Sequence, residues 1–269
     1  MKYINCEKYA QEILDEVKQV DHNKYFAIVS VGDNPASQSY IKGKIKDCEA
    51  CGIPYIHKHI AVKDEELAKR ELMETLYDLK NSYTVASTIL QLPLPNGWDE
   101  KHYLNYYMAP NKDVDGLHRD STFSPCTPEG IVYVLKKELG NLEGKTALII
   151  GRGNLVGRPL FDMLLEENCT VTMAHSKTKN LDGMLKSYDI IVVAVGKPNL
   201  IDLSKCEAQI VIDVGVNRVD GKLCGDCFNF DTDTNSDMLV TPVPKGIGLM
   251  TRAMLMKHIS EINRKEVQT

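Results

Sequence analysis

Tyr40 and Lys44 stand four residues apart in a stretch whose apolar residues, Ile41, Ile45 and Cys48, recur at helical spacing. On a helix that spacing stacks both side chains on one face. A phenol and an ammonium then border an apolar stripe, a setting suited to moving a proton. The run Tyr25–Val31 just before reads as a buried strand, and Gly32-Asp33-Asn34-Pro35 as a turn. The pair therefore falls near the C-terminal end of a strand, where open α/β sheets bind ligands. Taken alone, a Tyr-x-x-x-Lys spacing also describes a surface lysine with a tyrosine packed along its stem.

A further polar group, Gln91, belongs to the same rim. Gln91 ends a strand read over Val85–Leu92, which Pro93-Leu94-Pro95 closes because proline cannot continue a ladder. A solvated strand terminus would explain that amide equally. Asp113 and Asp115, in the charged turn 109–118, face opposite ways if extended. At most one enters a given pocket, and as a pair they make a poor metal site.

A second chemistry lies in the other half. The strand at 144–151 feeds Gly151-Arg152-Gly153-Asn154-Leu155-Val156-Gly157 and then a helix to about Asn168. The spacing G-x-G-x-x-x-G is one residue longer than the usual dinucleotide fingerprint. Its physics is the same: glycines admit a pyrophosphate to the backbone, and the helix N-terminus offers free N–H groups. An NAD site would place a carboxylate at the end of the next strand, 169–176, to bind the ribose 2′-hydroxyl. Here that end reads His175-Ser176-Lys177-Thr178-Lys179, with Arg152 in the glycine loop. A hydroxyl and cations suit a 2′-phosphate, so NADP is expected over NAD; a solvated basic turn is the plainer explanation. Buried strands at 189–196 and 209–215 end in Gly196 and Gly215, which let a ligand approach the backbone. Val216 follows and completes the expected cofactor set.

The elements that carry these groups define an α/β protein of two domains. Strands and helices alternate through the first 120 residues, which implies a parallel sheet: a helix at 6–20, strands at 25–31, 53–60 and 85–92, and helices from Ala36, at 64–80 and at 100–107. The more polar strand at 53–60 is expected near an edge. A catalytic domain over 1–120, joined by a C-terminal helix from 249–269 that packs back on it, precedes a Rossmann-like domain over 121–248. At its start Thr127 suits an N-cap and Pro128 the first helical position. Stretches 205–209 and 217–235 read as loops, and the last helix spans about Met250–Arg264.

The 269 residues carry a net charge of −5, which argues against a dedicated nucleic-acid binder. No run of 18 apolar residues and no signal-like N-terminus is found, so a cytoplasmic protein is expected. Eight cysteines are expected as reduced thiols. Cys48/Cys51 and Cys224/Cys227 have C-x-x-C spacing, yet small core or loop residues explain them better than a zinc site; no metal is expected.

Several stretches together resemble the bifunctional methylenetetrahydrofolate dehydrogenase/cyclohydrolase (FolD-type) family. They are Val31–Tyr40 with Lys44, Gln91–Pro95, Lys112–Gly116, Pro125–Pro128, Gly151–Pro159, His175–Thr178 and Thr241–Pro244, in the family's order and across nearly the whole chain. The resemblance implies NADP-dependent oxidation of 5,10-methylenetetrahydrofolate and hydrolysis of the methenyl product to 10-formyltetrahydrofolate, in one-carbon metabolism. It implies Lys44 as the catalytic lysine with Tyr40 and Gln91 beside it, Asp115 on the pterin ring, and Arg152 and Ser176 on the 2′-phosphate. It also implies a homodimer, with folate bound in the cleft between domains.

The chain departs from the family pattern in places. Lys245 stands for a glycine and Leu249 for a proline in the last loop, and a bulky cation there is expected to alter loop conformation or folate-tail binding. Gly225-Asp226-Cys227 replaces the usual Gly-Asp-Val. Gly43, inside the Lys44 helix, weakens it by about 1 kcal/mol relative to alanine. Two other readings compete. Short-chain dehydrogenases also use Tyr-x-x-x-Lys, but there the glycine loop precedes the pair, and here it follows. A folate- or nucleotide-binding protein without activity would use the same scaffold; Lys245 and Leu249 are its support, while Lys44, Gln91 and Asp115 oppose it.

Overall fold

The computed structural model describes residues 1–231 and 237–267; residues 232–236 of the expected loop and 268–269 of the expected last helix lie outside the described residues. In chain order the elements are β1 (Lys2–Tyr3), α1 (Cys6–Val17), β2 (Tyr25–Val31), α2 (Pro35–Cys51), β3 (Tyr55–Ile60), α3 (Glu65–Asn81), β4 (Val85–Leu90), α4 (Glu100–Tyr107) and α5 (Cys126–Leu139). Then follow β5 (Thr146–Ile150), α6 (Gly157–Glu166), β6 (Thr170–Ala174), α7 (Leu181–Met184), β7 (Ile190–Val193), β8 (Ile201–Asp202), β9 (Ile210–Asp213), β10 (Asn217–Val219), β11 (Lys222–Cys224), β12 (Cys227–Phe228), β13 (Leu239–Val240) and α8 (Ile247–Val267). They form two units, one of residues 11–126 with the chain from Arg252 onward, the other of residues 1–10 and 127–251. The first ten residues thus cluster with the second unit, whereas the sequence boundary put them in the first domain.

In the unit built on residues 11–126, β3, β2 and β4 form a parallel sheet in the order β3-β2-β4. β2 and β4 are buried almost throughout; β3 lies at an edge and is mostly exposed. Capping fixes where the helices begin. Asn34 accepts from the N–H groups of Ala36 and Ser37 at the start of α2, and Gly52 ends it in the left-handed conformation (φ 69°). Such an N-cap is worth about 1 kcal/mol. Asp64 and Asp99 cap α3 and α4 in the same way, by accepting from Leu67 and His102. Leu72 and Leu76 of α3 pack with Val29, Val31, Ile60, Leu90 and Trp98 into one core.

The C-terminal part of α8 closes this unit. Met256 meets Cys48 at 3.8 Å between sulfurs. The His258 ring, 2 % exposed, stacks on Phe123 and has Nδ1 2.9 Å from the Val114 carbonyl.

The other unit holds a six-strand parallel sheet in the order β1-β13-β9-β7-β5-β6. Its central strands are continuous apolar runs, as strands covered on both faces must be; Leu148, Ile150, Ile191, Val193 and Val211 form part of the core. Strand order reverses at β5, which has β6 on one side and β7 on the other, a Rossmann-like switch point.

Three expectations need correction here. Thr127 is not an N-cap: α5 begins at Cys126, and the Thr127 hydroxyl lies 3.0 Å from that of Thr251. The stretch 217–231 is not plain loop, because β10 and β11 form a hairpin and β12 pairs with β8. The last helix starts at Ile247, three residues before the apolar pattern suggested.

Candidate active site

α2 starts just past β2, beside β4, and strand order reverses here too, with β3 and β4 on opposite sides of β2. Lys44 is 3 % exposed, and its Nζ lies 3.5 Å from Asp115 Oδ2. Asp115 reaches it because the preceding segment is laid along β4. The Thr88 N–H donates to the Lys112 carbonyl at 2.7 Å, and Thr88 and Asp113 form a β-bridge. Asp113 is fully buried and turns inward, accepting from the N–H groups of Asp115 (3.3 Å) and His118 (2.7 Å). Burial pushes its carboxyl above the usual range, and the His118 N–H opposes this. Asp113 therefore shapes the turn, and Asp115 is the carboxylate that meets the lysine.

Tyr40 is half-buried one turn before Lys44. Burial raises its phenol pKa, Arg252 lowers it, and Asp115 adds to the rise. Gln91 is held at the end of β4 by its N–H to the Val29 carbonyl, and its Nε2 donates to the Leu92 carbonyl at 2.7 Å. Its Oε1 is buried without a partner among the described residues, an acceptor left for a ligand's N–H. The charged group that Lys44 pairs with is the Asp115 carboxylate.

The second site lies at the other switch point. At Gly151 (φ 123°) a Cβ would strike the Ala194 carbonyl, and at Gly157 it would strike the Gly151 carbonyl, so both glycines are needed for backbone packing. At Gly153 a Cβ would meet nothing within 4 Å. That open face, exposed with Arg152, is where a pyrophosphate fits. α6 opens beside it with no side-chain cap; the Arg158 N–H donates to the Gly153 carbonyl (3.0 Å) and Pro159 has no N–H, so the Gly157 N–H is the one offered to an anion there. After β6, the His175 N–H donates to Thr178 Oγ1 (2.9 Å) and the Lys177 N–H to His175 Nδ1 (3.1 Å). Thr178 and His175 thus lock the turn, and Ser176 projects from it, exposed.

The chain matches known proteins along nearly its whole length. The family model "Tetrahydrofolate dehydrogenase/cyclohydrolase, catalytic domain" matches residues 4–115, and that for the family's NAD(P)-binding domain matches residues 125–267. The chain belongs to the tetrahydrofolate dehydrogenase/cyclohydrolase family. A relative from Oceanobacillus iheyensis, "Bifunctional protein FolD", is 41% identical over 256 residues, covering 91% of this chain and 88% of that protein. The bifunctional FolD structure from Campylobacter jejuni is 35% identical with a TM-score of 0.90, covering 99% of both chains. The Trypanosoma brucei FolD structure, complexed with NADP cofactor and inhibitor, is 26% identical with a TM-score of 0.88, covering 99% of this chain and 98% of that one.

Within this family member, two buried carboxylates escaped the sequence reading. Asp226, 0 % exposed, accepts from the N–H groups of Val195 and Gly196, both at 2.8 Å, and from Asn217 Nδ2 at 2.8 Å. Asp213, 4 % exposed, accepts from the N–H groups of Gly215 (3.0 Å), Asp226 (3.0 Å) and Cys227 (2.9 Å). Together they fix Gly196 and Gly215 after β7 and β9; Val216 follows, half exposed at 49%. At Gly215 a Cβ would collide with the Asp226 carboxylate. The sequence signal was Gly225-Asp226-Cys227, noted only for Cys227 as a departure from the family's Gly-Asp-Val.

Lys245 takes φ 77°, the left-handed region that glycine enters freely and other residues enter at a cost. Its ammonium pairs with Glu7 at 3.1 Å, both side chains exposed. Among the described residues no group of three or more His, Cys, Asp or Glu could hold a metal, and no helix is long and apolar enough to cross a membrane.

Proposed function

We propose that this family member oxidises 5,10-methylenetetrahydrofolate to the 5,10-methenyl form with NADP and hydrolyses that product to 10-formyltetrahydrofolate. The observation that carries the reading is the buried Lys44 ammonium beside Asp115, on a helix of the domain that matches the family's catalytic model.

In the first reaction NADP, when bound, accepts a hydride from the methylene bridge. The chain's part in that step is placement. Asp115 and Gln91 present acceptors to the N–H groups of the pterin, and Tyr40 covers the ring. Arg152 and Ser176 bind the 2′-phosphate, while Gly151, Gly153, Gly157, His175, Thr178, Gly196, Gly215 and Val216 form the rest of the cofactor's bed. The uncapped α6 and the open face at Gly153 support that assignment.

The second reaction moves protons. Attack of water on the methenyl carbon makes a C–O bond and releases a proton. Cleavage of the bond to one ring nitrogen forms the formyl C=O, releases the second proton of the water and delivers one proton to that nitrogen, so one proton leaves overall. Lys44 is the side chain that handles this traffic, with Tyr40 at its flank and Asp115 fixing its head. We further assign a homodimer and a cytoplasmic location; family resemblance supports the first, and the second rests on the sequence features above.

Purified protein with 5,10-methylenetetrahydrofolate, supplied with NADP or with NAD and followed for methenyl product and reduced cofactor, tests this. Methenyl formation with NADP followed by its enzyme-dependent decay is expected. Lys44→Met should abolish the decay and leave methenyl formation. Full cyclohydrolase turnover in that variant would overturn the role of Lys44, and reduction of NAD alone would overturn the cofactor assignment.

A further inference from the structure

Gly43 directly precedes Lys44, and on helix propensity it is a defect in the middle of α2. The structure fills the gap from α8. A Cβ at Gly43 would collide with the Arg252 guanidinium, and its other near neighbours are also atoms of Arg252. The guanidinium is held by Asp47: Nη2 donates to Oδ1 at 3.2 Å, and Nε lies 2.7 Å from Oδ2 as a close charge contact that lacks hydrogen-bond alignment. Asp47, one turn after Gly43, is 6 % exposed. The cation is close enough to act on Tyr40, whose other charged neighbour is Asp115.

We propose that Arg252 is a positioning residue for the Tyr40/Lys44 pair, seated in the notch that Gly43 leaves and anchored by Asp47. This rests on Lys44 serving the cyclohydrolase step. A plain ion pair between helices would not need the glycine; alanine would make the better helix. The missing side chain lets a fixed positive charge lie against the α2 backbone beside Lys44. That charge holds the helix face and biases the proton-carrying groups. Hydride transfer makes less demand on them, so Arg252 should matter to one of the two reactions more than to the other.

The test is a double-mutant cycle on the full chain, measuring both activities in wild type, Gly43→Ala, Arg252→Met and the double variant. Arg252→Met should lower cyclohydrolase kcat by about tenfold, with dehydrogenase kcat and the KM for the methenyl substrate changing less than about twofold. Gly43→Ala should produce a similar cyclohydrolase loss although it favours the helix, because its methyl displaces the guanidinium. The double variant should be no worse than Arg252→Met alone, since the two act through one contact. Because Arg252→Met leaves a buried carboxylate unpaired, Asp47→Asn/Arg252→Met carries the same comparison if the single variant does not fold. Parallel loss of both activities, multiplicative losses in the double variant, or wild-type cyclohydrolase kcat in folded Arg252→Met would each overturn the proposal. Lys44→Met separates the two claims. If it abolishes cyclohydrolase turnover while Arg252→Met does not lower it, only the role of Arg252 falls. If Lys44→Met retains turnover, both fall.

Discussion

Replacing Asp226 with alanine should be felt in two assays at once. The carboxylate accepts three hydrogen bonds at 2.8 Å, from the N–H groups of Val195 and Gly196 and from the Asn217 amide. A net hydrogen bond to a charged group is worth about 1.5–3 kcal/mol. Val195 and Gly196 are exposed enough for water to replace part of what is lost, so the three bonds together come to about 3 kcal/mol rather than the full sum. For a chain of this size 1 kcal/mol moves Tm by about 2–4 °C, so Asp226→Ala should melt about 6–12 °C below wild type. The same change frees Gly196 beside the cofactor site and should raise KM for NADP several-fold. Asp226→Asn keeps the shape and one acceptor oxygen, and should lose about half as much. The assays are thermal denaturation by circular dichroism and cofactor titration at saturating folate. An Asp226→Ala protein melting within about 2 °C of wild type, with unchanged KM for NADP, would refute the view that this carboxylate holds the loop after β7.

Other perturbations have signs set by the structure. His22 is 9 % exposed, its Nε2 lies 3.2 Å from the Val17 carbonyl and its Nδ1 is buried without a partner, so burial lowers its pKa. The unfolded chain then binds the proton more readily, and the stability from this group, present above the unfolded value of about 6.5, is lost as pH falls; Tm should drop between pH 7.5 and 5.5 by more in wild type than in His22→Gln. Lys245→Gly removes a side chain from a left-handed residue and gives up an exposed ion pair of little worth. It should raise stability by about 0.5 kcal/mol once the extra entropy of glycine in the unfolded chain is counted, seen as a higher urea midpoint at unchanged slope. Arg152→Ala should lower kcat/KM with NADP by about 10- to 100-fold, the value of a charge-assisted contact to a phosphate, and leave kcat/KM with NAD nearly unchanged; an equal loss with both would place Arg152 elsewhere.

What the sequence made legible was local. β2 and α4 fall where they were expected: Phe26–Val31 is continuously buried, and Asp99 caps the helix before Glu100. The Tyr40/Lys44 spacing needed only the pitch of a helix. Two-residue strands such as β1 and β13 show no alternation to read, and they exist because partners distant in sequence supply their hydrogen bonds. Asp47 and Arg252 are no more distinctive than any exposed charges until a fold brings them together. Gly43 looked like a weakness because propensity counts only a residue's own helix, whereas its role is set by a side chain from α8. Asp213 ends β9 and Asp226 sits in a loop, and only the N–H groups they collect mark them as structural.

Neither unit is a continuous length of chain. The backbone passes from one to the other at 10/11, 126/127 and 251/252. β1 pairs with Leu239–Val240, more than two hundred residues further along the chain. The cofactor-binding sheet is therefore left unfinished at one edge until residue 240 has been made, whereas the β3-β2-β4 sheet has all its strands by residue 90. An excised fragment beginning at residue 121 would lack β1 and the pairing it gives β13, so cutting between the two family-matched segments would not yield an intact cofactor-binding half.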